Sequence, residues 1–121
     1  MLLGLRTAIY PVTDLTKGRN WYEQVLGSKP YFDQPFYVGF SVGGFELGLL
    51  PNGTPGTSGP QPLWGVQSAS EEFQRLIALG ATELEPVTDV GEGIKVAAVK
   101  DPFGNRLGIL ENPNFKVSEV R

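Results

Sequence analysis

The sequence has no cysteine, no histidine and a single methionine. Without cysteine there are no disulfides, no zinc thiolates and no thiol nucleophile. Without histidine the most common general base and the most common transition-metal ligand are both missing, and no serine has the usual partner to activate it. A basic cluster is missing too. Ten lysines and arginines are scattered against 13 aspartates and glutamates, for a net charge of -3, which gives a nucleic acid nothing to hold. No apolar stretch approaches the roughly 20 residues of a membrane span, and Met1 to Leu5 before Arg6 is too short for a signal peptide, so a cytoplasmic protein away from membranes is expected.

What remains is an ordinary globular composition: 121 residues, 40% hydrophobic and 19% charged. A single domain over residues 1–121 is expected, able to bury roughly two-thirds of its unfolded surface without covalent staples. Residues 51–62 carry four prolines and three glycines and can be neither helix nor central strand. They divide the chain into a first module over about 5–50 and a second over about 63–115.

The modules follow one plan. Each opens on a strand-like stretch, Thr7 to Val12 and Leu63 to Gln67, and then enters an amphipathic helix. Asp14 is the expected N-cap of the first helix, with Leu15, Tyr22, Val25 and Leu26 on its apolar face, a costly Gly18 inside it and Gly27 closing it. Ser68 to Glu71 form the expected capping box of the second, which packs Phe73, Leu76 and Ile77 and stops at Gly80. A short strand and a two-strand meander follow in each: Tyr37 to Val42 with Phe45 to Leu50, and Ile94 to Lys100 with Arg106 to Glu111. Gly43-Gly44 and Pro102 to Asn105 supply the turns. Leu26-Gly27 matches Leu79-Gly80 at an offset of 53, and Leu47-Gly48 matches Leu107-Gly108 at an offset of 60, the difference being a loop insertion. This predicts an α+β protein built from two tandem βαβββ modules, each with a sheet face to bury against its twin or another chain.

The string Tyr10 to Leu15 followed by Trp21 to Gly27 resembles the opening of vicinal-oxygen-chelate proteins, the glyoxalase, bleomycin-resistance and extradiol dioxygenase superfamily. Trp64-Gly65-Val66, Leu79 to Thr82, Asp101 to Asn105 and Asn112 to Phe115 look like the second module and close of the same family. The resemblance implies two modules curled into a half-open barrel and a homodimer. It leaves the chemistry open, because the superfamily holds metal-dependent isomerases, epimerases, dioxygenases and thiol transferases as well as metal-free drug-sequestering proteins.

The resemblance also implies four metal positions, on the first and last strand of each module. They fall on Thr7, on Glu46 (where the internal repeat favours Gly48), on Gln61 and on Gly108. One carboxylate, one amide and one hydroxyl are far from the ligand set of zinc, nickel or iron, so neither a metal nor another cofactor is expected.

Glu46 is the surviving candidate for catalysis: an apolar barrel would make it a general base for a proton beside a carbonyl, while solvation at the mouth or pairing with an arginine would leave it inert. Six of the 13 aromatic residues, Tyr31, Phe32, Phe36, Tyr37, Phe40 and Phe45, crowd into fifteen positions, either as a ligand wall or as core and interface. The expected ligand-binding set is Thr7, Ile9, Tyr31, Tyr37, Phe40, Glu46 and Trp64. Strand alternation puts Thr7 and Ile9 on the cavity face, sends Ala8, Tyr10 and Val12 to the helix, and parts Lys95 from Lys100. Asp101 and Asn105 belong to a turn, and Ser68 and Ser70 to a cap.

Metal-independent binding of a small molecule in the barrel or dimer cleft is the leading expectation. A metal-independent isomerase or lyase, with Glu46 as base and backbone donors or Tyr37 polarising a carbonyl, is the alternative. A non-catalytic dimerising module and a metal-dependent lactoylglutathione-lyase type rank behind these. A cationic drug would want an acidic groove, which a net charge of -3 does not advertise.

Overall fold

The computed structural model describes residues 3 and 5–120. The chain forms two compact units, one spanning Arg6–Gly56 and the other running from Thr57 onward. Each contains one four-stranded sheet and one α-helix, in the order β1 (Thr7–Pro11), α1 (Leu15–Leu26), β2 (Phe32–Gln34), β3 (Tyr37–Val42), β4 (Phe45–Leu50), then β5 (Leu63–Gly65), α2 (Ala69–Ala78), β6 (Thr82–Gly91), β7 (Ile94–Lys100), β8 (Arg106–Glu111) and a closing 3-10 turn over Val117–Glu119. The sheets have the same topology, β1-β4-β3-β2 and β5-β8-β7-β6, with the first pair parallel and the others antiparallel. This is the tandem α+β architecture that the two-module sequence pattern predicts.

In the first unit the Asp14 carboxylate accepts from the Lys17 N–H at 3.0 Å, and Gly27 ends α1 in the left-handed region at φ 67. Gly18 has a packing reason: a Cβ there would lie 3.1 Å from a Val12 methyl, so its absence lets the helix sit close to the end of β1. Alternation sorts the sheet. Tyr10, Val12, Val38, Phe40, Leu47 and Leu49 are buried on one face, with Trp21 and Tyr22 of α1 stacked edge to face beside Tyr10. Each aliphatic or Phe side chain hidden there contributes roughly 1.5–3 kcal/mol of burial. The other face carries Thr7, Ile9, Tyr37, Gly39, Ser41, Glu46 and Gly48, and Ile9 is 53% exposed on it.

In the second unit Ser68 Oγ caps α2 by accepting from the Glu71 N–H at 3.2 Å, and the Glu111 carboxylate accepts from the Ala69 N–H at 2.9 Å. Phe73 and Leu76 of α2 are buried, as are Ala97, Val99, Leu107 and Ile109 on β7 and β8. The strand after α2 is longer than the sequence suggests. β6 runs ten residues through Pro86, which an edge strand tolerates because one side of it needs no ladder bond, and its register shifts three times against β7. Asp101 and Asn105 are buried in the β7–β8 turn, where Asp101 Oδ1 accepts from the N–H groups of Phe103 and Asn105. None of the described residues forms a helix long and apolar enough to cross a membrane.

Candidate functional site

The open face of the first sheet holds a shallow cleft of about 420 Å³ lined by Arg6, Thr7, Tyr31, Ser41, Gly44, Phe45 and Glu46. Its centre is fixed by register. A two-residue turn, Gly43-Gly44 at φ 57 and 88, joins β3 to β4 and sets Ser41 opposite Glu46, while the parallel ladder sets Thr7 opposite Glu46 on the other side. The carboxylate therefore stands on β4 between two hydroxyl-bearing residues of its neighbouring strands, all three on one face.

Two tyrosines converge on it. Tyr31 Oη donates to Glu46 Oε1 and Tyr37 Oη donates to Glu46 Oε2. Their approach depends on Gly39 and Gly48, which are cross-strand partners and make a floor without side chains. A Cβ at Gly48 would overlap the Tyr37 hydroxyl, and one at Gly39 would meet the Tyr31 and Tyr37 rings at 3.2 and 3.3 Å. The Tyr31 backbone is pinned by its N–H to the Gly39 carbonyl at 3.0 Å. Both phenols are held above their ordinary range: Tyr31 mainly by its hydrogen bond to the carboxylate, Tyr37 mainly by burial and then by the same carboxylate. No ion pair among the described residues includes Glu46.

Of the residues expected to bind a ligand, Thr7, Tyr31, Tyr37 and Glu46 come together here. Ile9 shares the face, opposite Gly48, but lies outside the cleft lining. Phe40 does not take part: it is fully buried on the helix side, three residues from Tyr37 and hence on the opposite face of β3. Trp64 belongs to the second unit, paired with Ile109 on β8. Ser41 and Gly39 were not among the expected site residues, although the Gly43-Gly44 hairpin already fixes Ser41 beside Glu46; Phe45 figured only in the aromatic cluster and Gly48 only as the alternative metal position.

The second unit repeats the geometry with different side chains. Gly48 pairs with Ile9 and Gly39, and Gly108 with Leu63 and Ala98. Ser41, Glu46 and Thr7 thus correspond to Lys100, Arg106 and Gln61. Arg106 is gripped by both oxygens of Glu85 at 2.9 Å, and each group favours the other's charged form, the carboxyl lowered and the guanidinium raised mainly by that hydrogen bond. Where the first module presents a carboxylate, the second presents a guanidinium.

A family model described as Glyoxalase/Bleomycin resistance protein/Dioxygenase superfamily matches residues 4–109. The chain belongs to this superfamily. Among solved structures of the superfamily fold, a glyoxalase-related enzyme from Fulvimarina pelagi is 21% identical, with 96% of this chain and 93% of that one covered at a TM-score of 0.78. A lactoylglutathione lyase from Agrobacterium tumefaciens is 18% identical, with 96% and 100% covered at 0.76. A glyoxalase/bleomycin resistance protein from Albidiferax ferrireducens T118 is 20% identical, with 90% and 98% covered at 0.72. No curated protein matches. At these identities the likeness is one of fold.

The residues present do not fit the metal that catalytic superfamily members use. Thr7 and Glu46 adjoin, but Gly48 carries no side chain and its space is taken by Tyr37, and Gly108 likewise offers no donor, a Cβ there lying 2.8 Å from Leu63 Cδ2 and 3.1 Å from the Pro62 carbonyl. Among the described residues no three histidine, cysteine, aspartate or glutamate side chains gather in a way that could hold an ion.

Proposed function

We propose that this superfamily member binds a small organic molecule on the open face of its first sheet without a metal, anchoring it on Glu46, Tyr31 and Tyr37. The observation that carries the reading is the Gly39-Gly48 floor, which lets two tyrosines from separate strands grip one carboxylate at the centre of a 420 Å³ cleft. That volume lies within the ordinary range for small-molecule sites. Tyr31 and Phe45, 63% and 37% exposed, supply apolar contact surface beside the polar groups. The general-base alternative has less support, because Tyr37, the side chain expected to polarise a carbonyl for it, has its hydroxyl proton committed to Glu46.

The reading extends to a homodimer, supported by the exposure of Ile9 and Tyr31 on a sheet face that a second chain could cover. The test is a ligand-observed NMR screen of small aromatic fragments against the wild type and Gly48→Val. Fragments are expected to bind the wild type and be lost from a variant that stays folded. Equal binding to both would remove the cleft from consideration.

A further inference from the structure

We propose that the cleft selects an organic cation, a primary ammonium or amidinium group on an aromatic body. This rests on the binding reading above and names the class of molecule that the same site takes. Each tyrosine hydroxyl spends its only proton on Glu46, so each phenol oxygen presents lone pairs alone to an incoming ligand. Glu46 has acceptor capacity on both oxygens beyond the two bonds it receives. The central cluster is therefore made of acceptors, and a complementary ligand must donate.

Charge points the same way. Two neutral phenols leave the formal charge of Glu46 uncompensated, and the sheet neighbours on both sides, Thr7 and Ser41, are neutral hydroxyls. The second module shows what compensation looks like in this scaffold: Lys100 stands where the first has Ser41, and Arg106 is clamped by Glu85. Among the described residues Arg6, at the cleft edge, is the one cation of the lining; it has an interaction of its own, and no ion pair among those residues joins it to Glu46. The electron-rich faces of Tyr31 and Phe45, beside a carboxylate that forms no ion pair among the described residues, add a surface that attracts a cation while covering its apolar part. The net charge of the whole chain does not bear on this, because recognition is set by groups within a few ångströms of the ligand.

Three matched probes test it at neutral pH: benzylamine, benzyl alcohol and benzoate, followed by saturation-transfer NMR and by amide shifts of the β3–β4 hairpin, in wild type, Glu46→Gln and Ser41→Lys. Benzylamine is expected to bind, to move the hairpin amides, to weaken with added salt and to lose about tenfold or more in affinity in both variants, with the alcohol weaker and benzoate silent. Ser41→Lys places an internal cation beside Glu46 and keeps the carboxylate, so it separates competition for charge from damage to the fold. Benzoate binding as well as benzylamine, or benzylamine binding untouched by both variants, overturns the cation assignment and leaves the cleft a binding site. If none of the three binds, the binding reading and the cation assignment fail together.

Discussion

Glycine at position 48 decides where the Tyr37 hydroxyl can go, and a single methyl there tests it. Gly48→Ala is expected to push Tyr37 off Glu46 while leaving the helix-side core intact, so that ligand binding falls and the circular dichroism spectrum does not change. The phenols give a second readout. Because their folded values lie above those of an unfolded chain, the folded state holds the phenolic protons more tightly. The associated stability is complete below about pH 10, where an unfolded tyrosine ionises, and is lost as the pH climbs through the raised folded values. Near-ultraviolet titration of phenolate absorbance should show Tyr31 and Tyr37 ionising late, and Glu46→Gln should bring Tyr31 back toward the ordinary range while Tyr37, raised mainly by burial, returns only part of the way; no change in Tyr31 on that substitution would mean that the carboxylate does not hold it. Glu46 and its two tyrosines were all visible as candidates in the sequence, but their convergence was not, because it depends on the paired glycines and on a Tyr31 that enters from the segment before β2. Phe40 was separable from Tyr37 on parity alone, and its place among the aromatics obscured that.

Elements whose ends carry a chemical signal were the most legible ones. Asp14, Gly27 and Ser68 mark helix ends because each satisfies or redirects a backbone group that the helix cannot. Asp14→Ala should cost about 1 kcal/mol in urea unfolding, and Leu47→Ala, on the fully buried face of β4, about 2–5 kcal/mol. A Leu47 cost below 1 kcal/mol would contradict the assignment of that face to the core. β6 was the least legible element. It is an exposed edge strand carrying Glu83, Glu85, Pro86 and Asp89, with bulges that interrupt the alternation, so neither periodicity nor composition announces ten residues of strand.

For the molecule as a whole, the duplication was the strongest signal, since the Leu-Gly offsets that relate the halves in sequence also relate Gly48 to Gly108 in strand register. Register keeps Thr7 matched to Gln61 and, as the internal repeat favours, matches Gly48 to Gly108, which leaves Glu46 opposite Arg106 in the comparison. Native mass spectrometry of protein purified without chelators is expected to show a dimer free of stoichiometric nickel, zinc or iron. Chelator treatment should leave benzylamine binding unchanged, and a loss of binding on chelation would contradict the metal-independent reading.

The crowded glycines also tie positions 48 and 108 to the side chains that lie over them. A carboxylate placed at position 48 must turn Tyr37 away, and one at 108 must displace the end of Leu63. A side chain at either position is accommodated only by moving a neighbour, and at position 48 that movement takes the Tyr37 hydroxyl away from Glu46, so a new ligand there would come at the expense of the cluster already present.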